Sequence, residues 1–328
     1  MNIINAGIIG CGQIAGGYDE VMKDDDIRTH ANAYKQNPMV NLISVCDTDK
    51  KRLNQFAEYW KVQNEYTNYK DMLENDMIDI LSICTNPVNR LEMIRKAADT
   101  GVQLIFCEKP LTESLDESQE IVDYCREKNV KLAVNYKRRW DVFHQEIRTN
   151  ILNGVYGKPQ SFHCTYVRGV NNYGTHFIDL IRYFFGEIDW VWANNRINEK
   201  EKDPSIDVYL LTKSGVGCFL ISSNRDNFDI FEYSMLFDKK KIEFKKEGSI
   251  AMVYELTDNP DFPDLPIFTY SRTKETMWRM LKVSVDQLVD CIINNVEPYC
   301  TGKDGLLSLK ISSAISKSTE YGKKIFIE

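Results

Sequence analysis

The sequence has no surplus of positive charge, no long apolar run and no closely spaced pair of cysteines of the C-x-x-C type. Its 328 residues include 41 lysines and arginines against 48 aspartates and glutamates, which gives a formal net charge of −7. A protein that binds nucleic acid broadly needs a basic surface that neutralises phosphates. This balance of charge therefore argues against a nucleic-acid partner.

Signals for membrane insertion and export are also missing. No apolar run approaches the roughly 20 residues that cross a bilayer. The first residues, MNIINAGIIGCG, are typical of a β-strand rather than of a signal peptide. Nine cysteines are present, and without a C-x-x-C pair they do not indicate a zinc site. These features predict a cytoplasmic protein with no metal centre and no membrane partner.

The order of apolar segments predicts two domains. The first ~130 residues alternate strand and helix patterns, which is typical of a parallel α/β sheet. Apolar runs predict strands that are covered on both faces, at 3–9, 42–46, 78–83, 102–107 and 131–134. Later residues give consecutive strands with short turns, which indicates an antiparallel sheet. We predict domains at 1–135 and 136–328, with late helices at 275–294 and 304–321 that are candidates to pack back on the first domain.

A glycine-rich turn follows the first strand. The segment Gly10-Cys11-Gly12-Gln13-Ile14-Ala15 has the form G-x-G-x-x-A at a strand-to-helix junction. Gly10 permits a tight turn, and Gly12 lets the backbone approach a pyrophosphate that the helix N-terminus attracts. A tight turn without a ligand is the alternative interpretation. The expected cofactor contacts in this turn are Gly10, Gly12, Gln13 and Ile14.

The second strand ends in Asp47, a position where a carboxylate accepts hydrogen bonds from a ribose and repels a 2′-phosphate. This favours NAD(H) over NADP(H), although Lys50, Lys51 and Arg52 follow closely and leave NADP(H) open. A helix N-cap is the alternative role for Asp47. The acidic stretch 16–28 is expected to be a solvated insertion that loops out before a helix near His30, and it is a candidate cover for cofactor or substrate.

Three further segments make the pattern specific. Thr85-Asn86-Pro87 follows the strand at 78–83, Glu108-Lys109-Pro110 closes the strand at 102–107, and Gly174-Thr175-His176-Phe177-Ile178-Asp179 opens a helix of the second domain. With the glycine turn and the helix at 302–309, they resemble the Gfo/Idh/MocA family (glucose–fructose oxidoreductase, inositol dehydrogenase) over essentially the whole chain. The resemblance implies an α/β fold: an N-terminal Rossmann domain and a C-terminal α+β domain with a large, mostly antiparallel open sheet.

The resemblance also implies site residues and assembly. Lys109 and His176 take the places of the family's catalytic residues, and Thr85, Asn86, Glu108 and Lys109 join the cofactor site. An imidazole that titrates near neutrality suits acid–base work, and a lysine beside a nicotinamide can polarise the reacting oxygen. A surface lysine and a structural histidine are the alternatives. A homodimer or homotetramer is expected, as in related proteins.

The chain departs from the family pattern at two positions. Asn172 stands where many members carry an aspartate four residues before the histidine, and an amide cannot accept a proton as a base. Arg90 stands where many members carry a histidine, and it is expected either to bind a phosphate or carboxylate or to lie on the surface.

Polar residues after the last Rossmann strand and near His176 predict the substrate class. The expected substrate contacts are Lys109, Asn135, Arg139, Arg168, Asn172 and His176. Amides and guanidinium groups suit a polyhydroxylated ligand. The resemblance therefore implies an NAD(P)-dependent oxidoreductase that acts on CH–OH groups of a sugar or nucleotide-sugar, and the Asn-Asn-x-Gly-x-His pattern at 171–176 resembles members of surface-polysaccharide metabolism. The alternatives are a glycosidase or lyase that retains NAD without net redox change, and a non-catalytic sugar or NAD sensor.

Overall fold

A computed structural model describes residues 3–22, 25–197, 201–226 and 228–328. The chain divides into two compact units. The first contains Met1–Trp140 and Arg279–Leu307, and the second contains Asp141–Trp278 and Ser308–Glu328. Each unit has its own buried apolar core.

The first unit is built on a six-stranded sheet in the order β3-β2-β1-β4-β5-β6, and each neighbouring pair is parallel. The strands are β1 Ile4–Ile9, β2 Val40–Cys46, β3 Asn64–Tyr66, β4 Ile80–Ile83, β5 Leu104–Cys107 and β6 Lys131–Val134. Strands β4 and β5 are buried at every position, because helices cover both faces of a parallel sheet. The predicted Rossmann architecture is confirmed.

Helices join these strands and supply their covering layers. They are α1 Tyr18–Val21, α2 His30–Lys35, α3 Lys50–Trp60, α4 Tyr69–Asn75, α5 Arg90–Asp99, α6 Leu115–Glu127 and α9 Met280–Ile293. The Ser114 hydroxyl caps α6 and accepts a hydrogen bond from the Glu117 N–H at 3.4 Å. The last helix, α10 Gly302–Tyr321, contributes its first residues to this unit and the rest to the second.

The division after Trp140 lies slightly later than the position expected from the sequence. Trp140 ends a 3-10 turn, Lys137–Trp140. Its fully buried indole packs edge-on against Phe106, with ring centroids 5.7 Å apart. The indole N–H donates to Gln287 of α9 at 3.3 Å. These contacts place the turn and α9 in the core of the first unit.

The second unit contains a nine-stranded sheet in the order β14-β13-β12-β11-β7-β10-β9-β8-β15. Neighbours are antiparallel except for the parallel pair β7 and β10. The strands are β7 Pro159–Tyr166, β8 Ile188–Asn194, β9 Asp207–Thr212, β10 Gly217–Ser222, β11 Phe231–Phe237, β12 Lys240–Lys245, β13 Ile250–Thr257, β14 Ile267–Glu275 and β15 Ile325–Phe326. The predicted large, mostly antiparallel sheet is confirmed.

Alternating burial along the central strands puts one face of this sheet in the core. Helices α7 Val142–Leu152 and α8 Thr175–Phe185 belong to this unit, and every residue of α8 is buried. The sequence analysis missed β14 and began the late helix at Glu275 instead of Met280. The reason is that β14, IFTYSRTKE, is largely exposed and has no apolar alternation.

The expectation of a solvated loop at 16–28 is wrong for part of that stretch. A π-helical turn, Gln13–Gly17, runs directly into α1. Asp19 is buried, and its carboxylate accepts hydrogen bonds from the Thr29 hydroxyl at 2.7 Å and from the Asn32 amide at 3.0 Å. Asp19 thereby ties the acidic segment to the start of α2. Lys23 and Asp24 lie outside the described residues.

None of the helices in the described part of the chain combines the length and the apolar character needed to cross a membrane.

Candidate dinucleotide site and acid–base residues

The glycine turn has two glycines with different structural demands. Gly10 adopts a φ of +92°, and a Cβ added there would lie 3.0 Å from the backbone of Cys84 and Thr85. Gly12 has an ordinary φ of −84°, and beyond the adjacent residues no atom of the described part of the chain lies within 4 Å of the position that its Cβ would take. The fold therefore requires glycine at position 10 but not at position 12. Open space above Gly12 fits a ligand that approaches the backbone, as a pyrophosphate does at a Rossmann turn.

Replacing Gly10 with alanine is expected to destabilise the protein by about 1–3 kcal/mol, because a side chain in the left-handed region is strained and the Cβ would press on Cys84. Urea unfolding of the purified variant measures the effect. An unchanged midpoint would contradict this role for Gly10.

Asp47 braces the same turn. Its Oδ2 accepts a hydrogen bond from the Cys11 N–H at 2.8 Å, and its Oδ1 accepts one from the Asp49 N–H at 2.9 Å. The N-cap of α3 is Asp49, which accepts from the N–H groups of Lys51 and Arg52, so the alternative role expected for Asp47 belongs to its neighbour. Arg52 Nε lies 3.6 Å from Asp47 Oδ2. The carboxylate is thus held at the end of β2, where a ribose is expected to bind.

The other expected cofactor residues of this turn are Gln13 and Ile14, which lie in the π-helical turn. The Gln13 side chain is exposed and runs beside Gly17: its Oε1 lies 2.9 Å from the position of a Cβ on that glycine.

Arg90 is neither a surface residue nor an open anion site, and both expectations for it are wrong. It is 1 % exposed. Its guanidinium donates hydrogen bonds to the carbonyl oxygens of Thr85, Glu108 and Pro110. The α5 sequence gave no signal for this role, since the acceptors are backbone groups of loops after β4 and β5. Thr85 is half-buried and Asn86 is exposed at the end of β4.

Glu108 is the centre of a buried hydrogen-bond network. Its Oε1 lies 3.0 Å from Nε2 of His30 and accepts from the Asn135 amide at 2.6 Å. Nδ1 of His30 lies 2.8 Å from the Ser82 hydroxyl, which Tyr34 also contacts at 2.6 Å. Burial alone would raise the pKa of Glu108, but the bonds from His30 and Asn135 outweigh it and hold that pKa below its ordinary value. Glu108 is therefore a half-buried, ionised carboxylate beside Lys109.

Lys137 lies between Asn135 and Arg139 in the chain but is not among the substrate contacts expected from the sequence. It begins the 3-10 turn after β6, and β6 pairs with β5, the strand that leads to Lys109. Burial lowers the pKa of Lys137 to about 8, with a further contribution from the charge of Arg138, and Glu108 and Lys109 also act on it electrostatically. The available signal was its position at the carboxyl end of a parallel strand, the same edge that holds Lys109.

Lys137→Met is expected to stabilise the protein and to lower its activity, as at functional sites that sacrifice stability. The pKa of Lys137 is lower in the folded state than in the unfolded state, so the charged amine reduces the free energy of unfolding. This reduction is greatest below pH 8. The destabilisation becomes smaller as the pH rises from 8 toward 10.5, the pKa of the lysine in the unfolded chain. The gain in Tm, about 2–4 °C for each kcal/mol, is therefore expected at pH 7 and should fade near pH 10. A Tm gain that grows above pH 8 would contradict this account.

Two expected substrate contacts have structural partners in the first unit. Asn135 is buried and donates to Glu108. Arg139 is 5 % exposed, and its guanidinium donates to Asp304 at 3.0 Å and to the Tyr299 carbonyl at 3.1 Å. Because Asp304 lies at the start of α10, Arg139 fastens that helix to the first unit. These bonds give Arg139 a structural role, and its expected contact with substrate stays a prediction.

In the second unit, His176 lies in the first turn of α8. It is 9 % exposed, and its ring meets Phe231 edge-on with centroids 6.2 Å apart. A π-helical turn, Gly169–Gly174, leads into the helix. The Thr175 hydroxyl donates to the carbonyls of Asn171 and Asn172 at 3.1 Å, which fixes the junction before His176.

Arg168 and Asn172 come together on a cavity of about 630 Å³ within the second unit, a volume suited to a small ligand. Asp229, Asp203 and Arg225 also line it. Arg168 contacts the Asp229 carboxylate at 2.5 Å, and the backbone N–H of Asn172 donates to Asp203 at 3.1 Å. The lining of opposite charges and an amide suits a polar, hydroxyl-rich ligand.

The parallel sheet, the open glycine turn and the braced Asp47 define an oxidoreductase-type dinucleotide fold. Residues 4–136 match the sequence profile of the Gfo/Idh/MocA oxidoreductases, a family with an NAD-binding Rossmann fold, so the expected resemblance is confirmed for this part of the chain. The expected oxidoreductase class and NAD-type cofactor are thereby confirmed.

Relatives match the chain over nearly its full length. An uncharacterized oxidoreductase, YrbE, from Bacillus subtilis is 26% identical over 99% of this chain and 97% of its own. D-apiose dehydrogenase from Paraburkholderia graminis is 23% identical over 97% of this chain and 88% of its own. The crystal structure of an NAD binding oxidoreductase from Klebsiella pneumoniae superposes with a TM-score of 0.83 at 17% identity, over 99% of each chain, which shows the shared fold.

Proposed function

We propose that this protein is an NAD(H)-dependent dehydrogenase that oxidises a secondary hydroxyl of a sugar. The observation that carries the proposal is the glycine turn: position 12 is open although the fold does not need glycine there. A family of NAD-binding oxidoreductases and a sugar dehydrogenase among the relatives support the same reaction.

In the first unit, residues at the ends of β1 and β2 bind the cofactor, and a residue at the end of β5 acts on the substrate. Gly10 and Gly12 bind the pyrophosphate, and Asp47 accepts hydrogen bonds from the ribose hydroxyls. Bound NAD⁺ supplies the hydride acceptor. The amine of Lys109 hydrogen-bonds the reacting oxygen and stabilises negative charge that develops on it.

The second unit supplies the acid–base group and polar substrate contacts. His176 accepts the hydroxyl proton during oxidation and returns it during reduction. Asn172 cannot accept a proton, so it binds a substrate hydroxyl through its amide. Arg168 contributes a positive charge at the edge of the same cavity.

We further infer a sugar or nucleotide-sugar substrate, of the kind used in surface-polysaccharide metabolism. The cavity volume and its mixture of guanidinium, carboxylate and amide groups support a polyhydroxylated ligand. A homo-oligomer is proposed on the exposed face of the nine-stranded sheet, where Trp192, Phe219 and Ile221 are 43%, 40% and 46% exposed.

A purified-protein screen of sugars and nucleotide-sugars against NAD⁺ and NADP⁺ tests the proposal. We expect a rise in reduced-cofactor absorbance with at least one sugar, and a preference for NAD⁺. Turnover of a glycoside without added cofactor and without net absorbance change would instead indicate a lyase or glycosidase with retained NAD. Tight NADH binding with no turnover of any sugar would indicate a sensor, and either result would refute the dehydrogenase.

A further inference from the structure

Arg90 occupies an unusual place for a permanent charge. Its guanidinium lies inside the first unit, at the start of α5, and is 1 % exposed. A buried cation is costly unless several acceptors surround it. The acceptors here are backbone carbonyls of two loops, and the described contacts of the guanidinium include no carboxylate hydrogen bond.

The acceptors lie on both sides of Lys109. One guanidinium nitrogen donates to the carbonyls of Glu108 and Pro110, the residues that flank the lysine, and it lies 3.4 Å from the Leu111 carbonyl. The other nitrogen donates to the Thr85 carbonyl at the end of β4. The rigid fork of arginine suits several acceptors at once, and the single ammonium of lysine does not.

Side-chain contacts of Glu108 also fix the segment that contains Lys109. The Glu108 carboxylate contacts His30 at 3.0 Å and Asn135 at 2.6 Å. The backbone around Lys109 is thus fixed by Arg90 while the neighbouring carboxylate is fixed by the His30 network. The loop that contains Thr85 also borders Gly10, since the Thr85 backbone nitrogen would lie 3.0 Å from a Cβ at position 10.

We propose that Arg90 is a positioning residue that sets the place of Lys109 relative to the loop after β4, where the dinucleotide is expected. The inference rests on the proposed function, because it assigns Arg90 a part in the same reaction. Displacement of a reacting group by about 1 Å can cost about 100-fold in rate, so the loss of this clamp should reduce kcat more than it reduces binding.

The variants Arg90→Lys and Arg90→Gln test the proposal, with Arg95→Lys as the matched control. Arg95 lies on the same helix, is exposed, and pairs with Glu120 on the surface. We expect Arg90→Lys to lower kcat by about 10- to 100-fold, with the sugar KM and the NADH Kd within about 3-fold of the wild type. Arg90→Gln should be at least as impaired, and Arg95→Lys should be unaffected. A kcat within twofold of the wild type in Arg90→Lys would overturn the proposal, as would a loss explained wholly by unfolded protein in circular dichroism.

A second readout does not depend on turnover. NMR of ¹³C-dimethylated lysines, with the Lys109 signal assigned by its absence in Lys109→Met, reports the position and titration of this amine directly. We expect the signal to shift or broaden in Arg90→Lys and to stay unchanged in Arg95→Lys. An unchanged signal in Arg90→Lys would overturn the proposal. If the Lys109 signal shifts in Arg90→Lys but the wild-type protein does not reduce NAD⁺ with any sugar tested, the positioning role of Arg90 stands and only the proposed reaction is refuted.

Discussion

Lys109→Met is expected to lower kcat by about 10²–10³-fold, the range for loss of a donor that stabilises negative charge on the reacting oxygen in the transition state. Methionine keeps much of the length and apolar volume of the lysine stem, so the Glu108–Pro110 backbone that Arg90 holds should stay in place. The NADH Kd should change by less than about tenfold, because the residues proposed to bind the pyrophosphate and ribose lie elsewhere, on β1 and β2.

Stopped-flow or steady-state kinetics with the best sugar from the screen measures this effect, and fluorescence titration measures the Kd. Lys96→Met is the matched control, since Lys96 lies on the surface of α5 and pairs with Glu74. Turnover in Lys109→Met equal to that of Lys96→Met would remove Lys109 from the mechanism.

His176→Asn should reduce kcat/KM by about 10²–10⁴-fold and flatten the acidic limb of the pH–rate profile that the imidazole produces. Asparagine fills part of the buried space beside Phe231, which limits the effect on folding. His163→Asn is the control, because His163 is exposed and contacts the Ser161 hydroxyl at 2.9 Å. A pH profile in His176→Asn that keeps the wild-type acidic limb would assign that limb to another group.

The double variant Lys109→Met/His176→Asn asks whether the two residues serve one reaction. Groups that act as a unit lose little more together than singly. We expect the double variant to retain at least a tenth of the lower single-variant activity. Fully multiplicative losses would mean that the two side chains act in separate steps.

The sequence was sufficient for features that depend on local pattern. Apolar runs located the parallel strands, because strands covered on both faces leave a continuous signal. Gly10 was placed correctly in a tight turn, and its φ of +92° gives the reason.

Features that depend on distant partners could not be read from the sequence. The ion pair of Arg139 is one example, since its acceptor Asp304 lies 165 residues away. The acceptors of Arg90 are backbone carbonyl oxygens. Every residue has a backbone carbonyl, so the sequence does not indicate which ones an arginine will bind. Asp19 belongs to a run of acids that suggested solvent, yet it is buried and accepts a hydrogen bond from the Thr29 hydroxyl.

The interior role of His30 was missed for the same reason. It opens α2 and contacts Ser82 and Glu108, which lie on β4 and directly after β5. A histidine is equally compatible with a surface helix, so only the sheet order, which sets β4 and β5 side by side, explains how one ring reaches both.

Fluorescence titration of NADH into the wild type and Gly12→Leu tests the central claim most directly. Position 12 has room for a side chain and an unstrained backbone, so the variant should fold with an unchanged Tm and lose NADH affinity by at least about 100-fold, or about 2.7 kcal/mol. Equal affinity in the two proteins, or no binding of NADH to the wild type at millimolar concentration, would contradict a dinucleotide at the glycine turn.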